Sequence, residues 1–173
     1  MSVSEAKYSR VARILHWSMG VLIVANLAGG LLHDLNANLI MPLHKATGVL
    51  LLFLAVLRIL WRTVKPAPAF PAEMSLGERA VASFTHAILY AFMVLIPLSG
   101  WIMVSAFPYP LPFYGLFELP KFHIVKESAL WGVAAEGHEL MAFALIALLL
   151  LHIAAALRHH FVLKDGILAR MWG

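Results

Sequence analysis

Four long stretches of the chain carry almost no charge, and the charged residues crowd between them. The first covers about residues 11–32, and from Leu15 to Leu32 it holds no charged side chain. The second, about residues 40–61, has Lys45 near one end and Arg58 near the other, where long side chains can reach the interface. The third, about residues 80–106, contains Pro97 and Gly100, which predict a kink; the fourth covers about residues 137–160. A helix needs roughly 20 mostly apolar residues to cross ~30 Å of hydrocarbon. Each run is long enough, so the pattern predicts an all-α integral membrane four-helix bundle, with residues 1–173 as one membrane domain. The first run is too long, and lacks the cleavage site, for a signal peptide.

The connections differ in character. Residues 63–79 form a linker with Pro66, Pro68 and Pro71, and residues 107–136 form a long loop. The start of that loop, Phe107 to Pro120, is aromatic and Pro-rich, which suits the headgroup layer. Lys164-Asp165-Gly166 is a turn signal, followed by a short amphipathic tail. Ten Lys and Arg fall at one end of the bundle: Lys7, Arg10, Arg13, Arg58, Arg62, Lys65, Arg79, Arg158, Lys164 and Arg170. Only Lys45, Lys121 and Lys126 fall at the other. The positive-inside rule then puts both termini in the cytoplasm.

Composition sharpens this picture. The chain is 62% hydrophobic and 13% charged, against about a quarter charged in ordinary soluble domains. That excludes a disordered chain, a coiled coil and a nucleic-acid module, and a formal charge of +4 is too small to imply nucleic acid. Cys is absent, which removes disulfides, thiolate-held iron–sulfur clusters, covalently tethered c-type haem and thiol catalysis. Nine histidines in so apolar a chain are the anomaly.

Their depths are ordered. His16 and His86 open the first and third spans at the cytoplasmic side, and His44 and His138 open the second and fourth at the outer side. His152 follows His138 by fourteen residues, about 21 Å along a helix and close to the same face. His159 and His160 mark the cytoplasmic end of that helix, whereas His33 and His123 read as loop residues. Ionisable groups inside a span are costly and functional by default. Two imidazoles on one face at two depths suit two cofactors stacked across a bilayer. By depth His44 matches His138, and either His16 or His86 matches His152. Haem iron accepts an imidazole on each axial side, and a four-helix bundle supplies them from facing helices. Gly20 and Gly48, each four residues after a histidine, would leave room for a porphyrin, and Arg13 and Lys45 could pair with its propionates. A tetrahedral zinc site fits less well, since the histidines lie at two depths and no Cys joins them. The eight Met read as packing, and Glu136 and Glu139 as interfacial charges.

Four segments carry a resemblance: YSRVARILHW (Tyr8 to Trp17), MPLHKATGVLLLFLAVLRILWR (Met41 to Arg62), THAILYAFMVLIPLSGW (Thr85 to Trp101) and GHELMAFALIALLLLHIAAALRHHFVLKDGILARM (Gly137 to Met171). They resemble the bacterial cytochrome b561 family of small four-helix, two-haem membrane cytochromes, which includes superoxide oxidase. The resemblance implies two haem b groups in the bacterial inner membrane. It makes His16 and His152 the axial ligands of the cytoplasmic-side haem, and His44 and His138 those of the outer haem. It places His86 and His159 near a quinone. It further implies electron transfer from superoxide to ubiquinone, with no catalytic side chain beyond the haem and quinone sites. An anionic donor needs a positive entrance, and Lys45, Lys121 and Lys126 are the cations on that side. Besides lipid, ubiquinone and superoxide, a redox protein is the other partner class.

Two other readings stand beside it. One is a cytochrome b subunit passing electrons between a dehydrogenase or hydrogenase and quinone. The other is a His-lined proton or metal transporter, which a colourless purified protein would reveal. The charge bias is directly testable. Reporter fusions should place residues 34–43 and 107–136 in the periplasm and residues 63–79 in the cytoplasm, and a cytoplasmic signal from the 107–136 loop would reverse the orientation.

Overall fold

The computed structural model describes residues 7–72 and 74–172. Four long helices dominate it: α1 (Arg10–Leu31), α2 (Ala37–Val64), α3 (Leu76–Ser105) and α4 (Ala129–Arg158). All four are long and apolar enough to cross a membrane. A 3₁₀ turn (His33–Leu35) joins α1 to α2, and a π-helical turn (His159–Leu163) ends α4 before the short α5 (Ala169–Trp172).

Each span starts on a side chain that satisfies a free helical N–H. Ser9 Oγ accepts from Ala12 N, Asn36 Oδ1 from Leu39 N, and Ser128 Oγ from Trp131 N. Ser75 and Glu78 form a reciprocal capping box on α3. These caps explain why the helices begin earlier than hydropathy alone predicts. The largest difference is at α4, which starts at Ala129 rather than near residue 137. Residues 129–136 were expected in the outer loop; Gly132 and Glu136 dilute their hydropathy, but Ser128 starts the helix there. Pro97 sits inside α3, which remains one continuous helix.

Sequential helices pack side by side, α1 on α2, α2 on α3 and α3 on α4. The start of α1 meets the end of α4 through His16 and His152, while the starts of α2 and α4 meet through His44 and His138. Hence α1 and α3 run one way and α2 and α4 the other. Met19, Leu51 and Ala55 are buried at mid-depth against Leu22, Ile23, Leu54, Met93 and Val94. Much of the outer surface is apolar: Val21, Phe53, Leu150 and Leu151 are each more than half exposed, as lipid contact requires.

Both ends are closed by the connections. In the outer loop, β1 (Pro112–Phe113) pairs antiparallel with β2 (Phe117–Glu118). This small hairpin ties to α2 through Tyr114 Oη and Thr47 Oγ1 (2.8 Å), and Leu111 beneath it is buried. At the opposite end the tail folds over α1: Trp17 Nε1 donates to Met171 O (3.0 Å), and Arg170 Nη1 donates to Ala69 O in the linker (2.7 Å).

Ala55 is fully buried where α2 meets its neighbours. Ala55→Leu would force extra methylenes into that seam and should cost about 1–3 kcal/mol. A thermal-aggregation curve in detergent should therefore shift down, while Val21→Leu on the lipid face should leave it in place.

Candidate functional site

Among the described residues the bundle gathers histidines into two layers. In the outer layer the His44 and His138 rings face each other, with centres 6.2 Å apart and planes at 78°. Both rings are fixed from behind. His44 Nδ1 donates to Asn26 O and His138 Nδ1 to Ile96 O, each at 2.9 Å. A carbonyl can only accept, so Nδ1 carries the proton and Nε2 keeps its lone pair. Ser99 Oγ lies 3.1 Å from His138 Nδ1 and donates to the same Ile96 carbonyl. The rings fit because two helices lack a side chain there. A Cβ on Gly100 would sit 3.0 Å from His138 Cε1, and one on Gly30 would sit 3.1 Å from His44 Cε1. The glycines singled out in the sequence also border open volume: Gly48 lines the adjoining cavity, and a Cβ on Gly20 would meet nothing within 4 Å.

That cavity, of about 300 Å³, is lined by His44, His138, Asn26, Lys45, Leu111 and Leu145 among others. Its wall is mostly apolar, yet Asn26 Oδ1 is buried without a hydrogen-bond partner.

The inner layer holds three rings. His152 lies 6.2 Å from His16 and 5.5 Å from His86, centre to centre. His86 Nδ1 donates to Ala82 O one turn back (2.6 Å). Arg58 does not turn out toward water as its place near a helix end suggests. It donates through Nη1 to Ala12 O (3.1 Å), its Nη2 lies 3.3 Å from His16 Nδ1, and its guanidinium lies over the Tyr90 ring. No carboxylate pairs with it among the described residues. Spacing in the sequence could not reveal this contact, because it depends on which faces of α1 and α2 meet. Arg13 Nε, also at this end, is buried without a partner. His159 is bonded to Asp165, not to His86.

The three outer lysines are placed differently. Lys45 lines the cavity, and Lys126 Nζ lies 5.7 Å from the centre of the Phe107 ring. Lys121 Nζ is held inside the loop by Phe107 O and Tyr109 O, at 2.7 and 2.9 Å. His33 bonds to Gly30 O at the end of α1, where the loop begins.

A sequence profile of prokaryotic cytochrome b561 matches residues 7–173. The chain belongs to the prokaryotic cytochrome b561 family. It is 30% identical to cytochrome b561 homolog 2 of Escherichia coli strain K12, over 96% of this chain and 92% of the relative. It is 26% identical to the probable superoxide oxidase CybB of Yersinia pestis, over 95% of each chain. A cytochrome b562 of Cereibacter sphaeroides is 28% identical over 96% of each. This cytochrome is thus a multi-pass electron-transfer protein of the bacterial inner membrane, in a family that binds haem b.

The residues present fit that group. An imidazole nitrogen sits about 2.0 Å from a bound metal and roughly 1.1 Å from its ring centre, so two in-line rings on one metal have centres about 6.2 Å apart. The His44–His138 and His16–His152 pairs both have that separation, whereas His86–His152 is shorter. The orphaned Asn26 and Arg13 atoms are polar groups that a porphyrin carboxylate or a water could satisfy.

Gly100→Ala should press on the His138 ring and lower the haem content of this cytochrome. Gly77→Ala, whose Cβ would meet nothing within 4 Å, should leave it unchanged. Pyridine haemochrome assays of the two purified variants make the comparison.

Proposed function

We propose that this cytochrome oxidises superoxide at its periplasmic face and reduces ubiquinone near its cytoplasmic face, through two b haems. The observation that carries the reading is the pair of facing imidazoles repeated in two layers at one separation, 6.2 Å. In this reading His44 and His138 hold the outer haem, His16 and His152 hold the inner one, and His86 and His159 serve the quinone. The termini lie in the cytoplasm. The balance is simple: two superoxide ions each give up one electron and leave as oxygen, and ubiquinone takes two electrons and two protons to become ubiquinol.

Bound haem supplies one-electron chemistry at its iron. The chain supplies the rest. The Asn26 and Ile96 carbonyls hold the Nδ1 protons of the outer rings, which fixes ring orientation and keeps Nε2 aimed inward. Lys45 lends positive charge beside His44, where an anionic donor approaches, and Lys126 adds to it from the loop. Lys121 contributes field only, because loop carbonyls occupy its ammonium. Arg58 provides a fixed cation at the inner layer. The Yersinia relative's name, probable superoxide oxidase, supports superoxide as the donor.

Purified protein should contain two haems per chain, removable by acid acetone because no Cys tethers them. His44→Ala and His138→Ala should each abolish the same spectral component, and His16→Ala the other. Enzymatically generated superoxide should reduce the haems of the single chain and then drive ubiquinol formation with no second protein added. Haem loss from different sites in His44→Ala and His138→Ala would sink the pairing. Strict dependence on an added dehydrogenase would replace the superoxide reading with the subunit reading.

A further inference from the structure

The last turn of α4 abandons α geometry. His159–Leu163 form one π-helical turn, Lys164 adopts a left-handed conformation (φ 55°), and Gly166 does so again (φ 74°). Gly166 takes that conformation without the steric cost a side chain would bring. The reversal brings Asp165 back onto the helix it has just left. His159 Nδ1 and Asp165 Oδ2 are 2.5 Å apart, with side chains only 14% and 23% exposed. The other carboxylate oxygen, Oδ1, accepts from Ile167 N (3.2 Å). Asp165 is therefore held by the backbone at one oxygen and holds an imidazole with the other. An ionised carboxylate only accepts, so the His159 proton sits on Nδ1 and Nε2 is the free nitrogen.

We propose that Asp165 is the positioning residue of an Asp165–His159 pair that delivers protons through His159 Nε2 to the reduced ubiquinone. This rests on the reading of His159 as a quinone-side group. Ubiquinone takes its two electrons from the haem chain. For each of its two new O–H bonds, one Nε2–H bond of His159 breaks, and cytoplasmic water restores that proton. The ring alternates between imidazolium, with both nitrogens protonated, and a neutral ring whose proton Asp165 keeps on Nδ1. Without Asp165 the neutral ring can hold its proton on Nε2, where it cannot take one from water. The charged neighbours are otherwise engaged or outside the pair: Arg158 reaches Glu78 at 3.7 Å, and Lys164 is exposed.

A plain structural role, closing the turn, makes a different forecast. Asp165→Asn keeps an oxygen for Nδ1–H or for Ile167 N but loses the charge, and Asp165→Glu keeps the charge. The test uses the full haem-loaded chain, reduced chemically with dithionite, freed of excess reductant and then mixed with a soluble ubiquinone. For Asp165→Asn, haem content and spectrum should match wild type. Its kcat for quinone reduction should fall roughly 10- to 100-fold with KM little changed, the loss expected when a proton-transfer group is mis-set. Asp165→Glu should recover most of the rate. In nitrogen NMR of histidine-labelled, fully reduced protein, His159 should keep its proton on Nδ1 in wild type and lose that preference in Asp165→Ala. A wild-type kcat in Asp165→Asn alongside a slow His159→Ala overturns the pair and leaves the quinone role of His159 standing. Wild-type rates in both variants overturn both. Because dithionite replaces superoxide, failure of superoxide as donor does not touch this result.

Discussion

An imidazole inside hydrocarbon has a polar nitrogen at each end, and each needs a partner. The bundle meets this demand at the outer layer by turning one nitrogen of each ring to a backbone carbonyl, Asn26 O for His44 and Ile96 O for His138. The opposite nitrogen is then left aimed across the bundle. Everything nearby serves that orientation. Gly30 and Gly100 remove the side chains that would displace the rings, and Ser99 adds a hydroxyl at the Ile96 carbonyl. Leu111 in the outer loop covers the cavity that the rings enter. The fold is thus organised around pairs of rings rather than around a large buried core, since lipid gives little drive for apolar burial.

The closely packed pairs α1–α2, α2–α3 and α3–α4 do not include α1–α4, and this arrangement has a consequence. Side chains, not backbones, bridge that seam: His16 to His152 in the inner layer. Between the layers Met19, Leu51 and Ala55 form an apolar partition. The tail, the linker and the π-helical turn lie together at the inner end.

Much of this was legible in the sequence because depth is linear along a helix. The fourteen residues between His138 and His152 fix two layers whatever the neighbouring helices do. The same arithmetic names His44 as the match for His138. Rotation between helices is not linear, and there the reading fell short. Arg58 was expected to reach the interface, yet it turns to His16. Gly30 and Gly100 face rings on other helices, and spacing along one helix does not pick them out. The Ser75-Leu76-Gly77-Glu78 capping box was a readable start signal, masked by reliance on hydropathy. Asp165 was read only as part of a turn, because its contact with His159 needs the π-helical turn that no apolar pattern encodes.

The two layers also differ electrically, and the difference has a direction. At the outer layer, carbonyls draw on the Nδ1 protons of His44 and His138, which makes those rings stronger electron donors. A metal held by them is biased toward its oxidised state. At the inner layer His16 faces the guanidinium of Arg58 instead. A fixed cation favours the reduced state of a nearby redox group. On the proposed ligand assignment, both effects push electrons the same way, from the outer layer to the inner one. Lipid separates the two layers from water and so preserves the difference. A bundle whose four ligand pockets were chemically alike would give two haems with no preferred direction between them. On that assignment the direction rests on two carbonyls and one arginine.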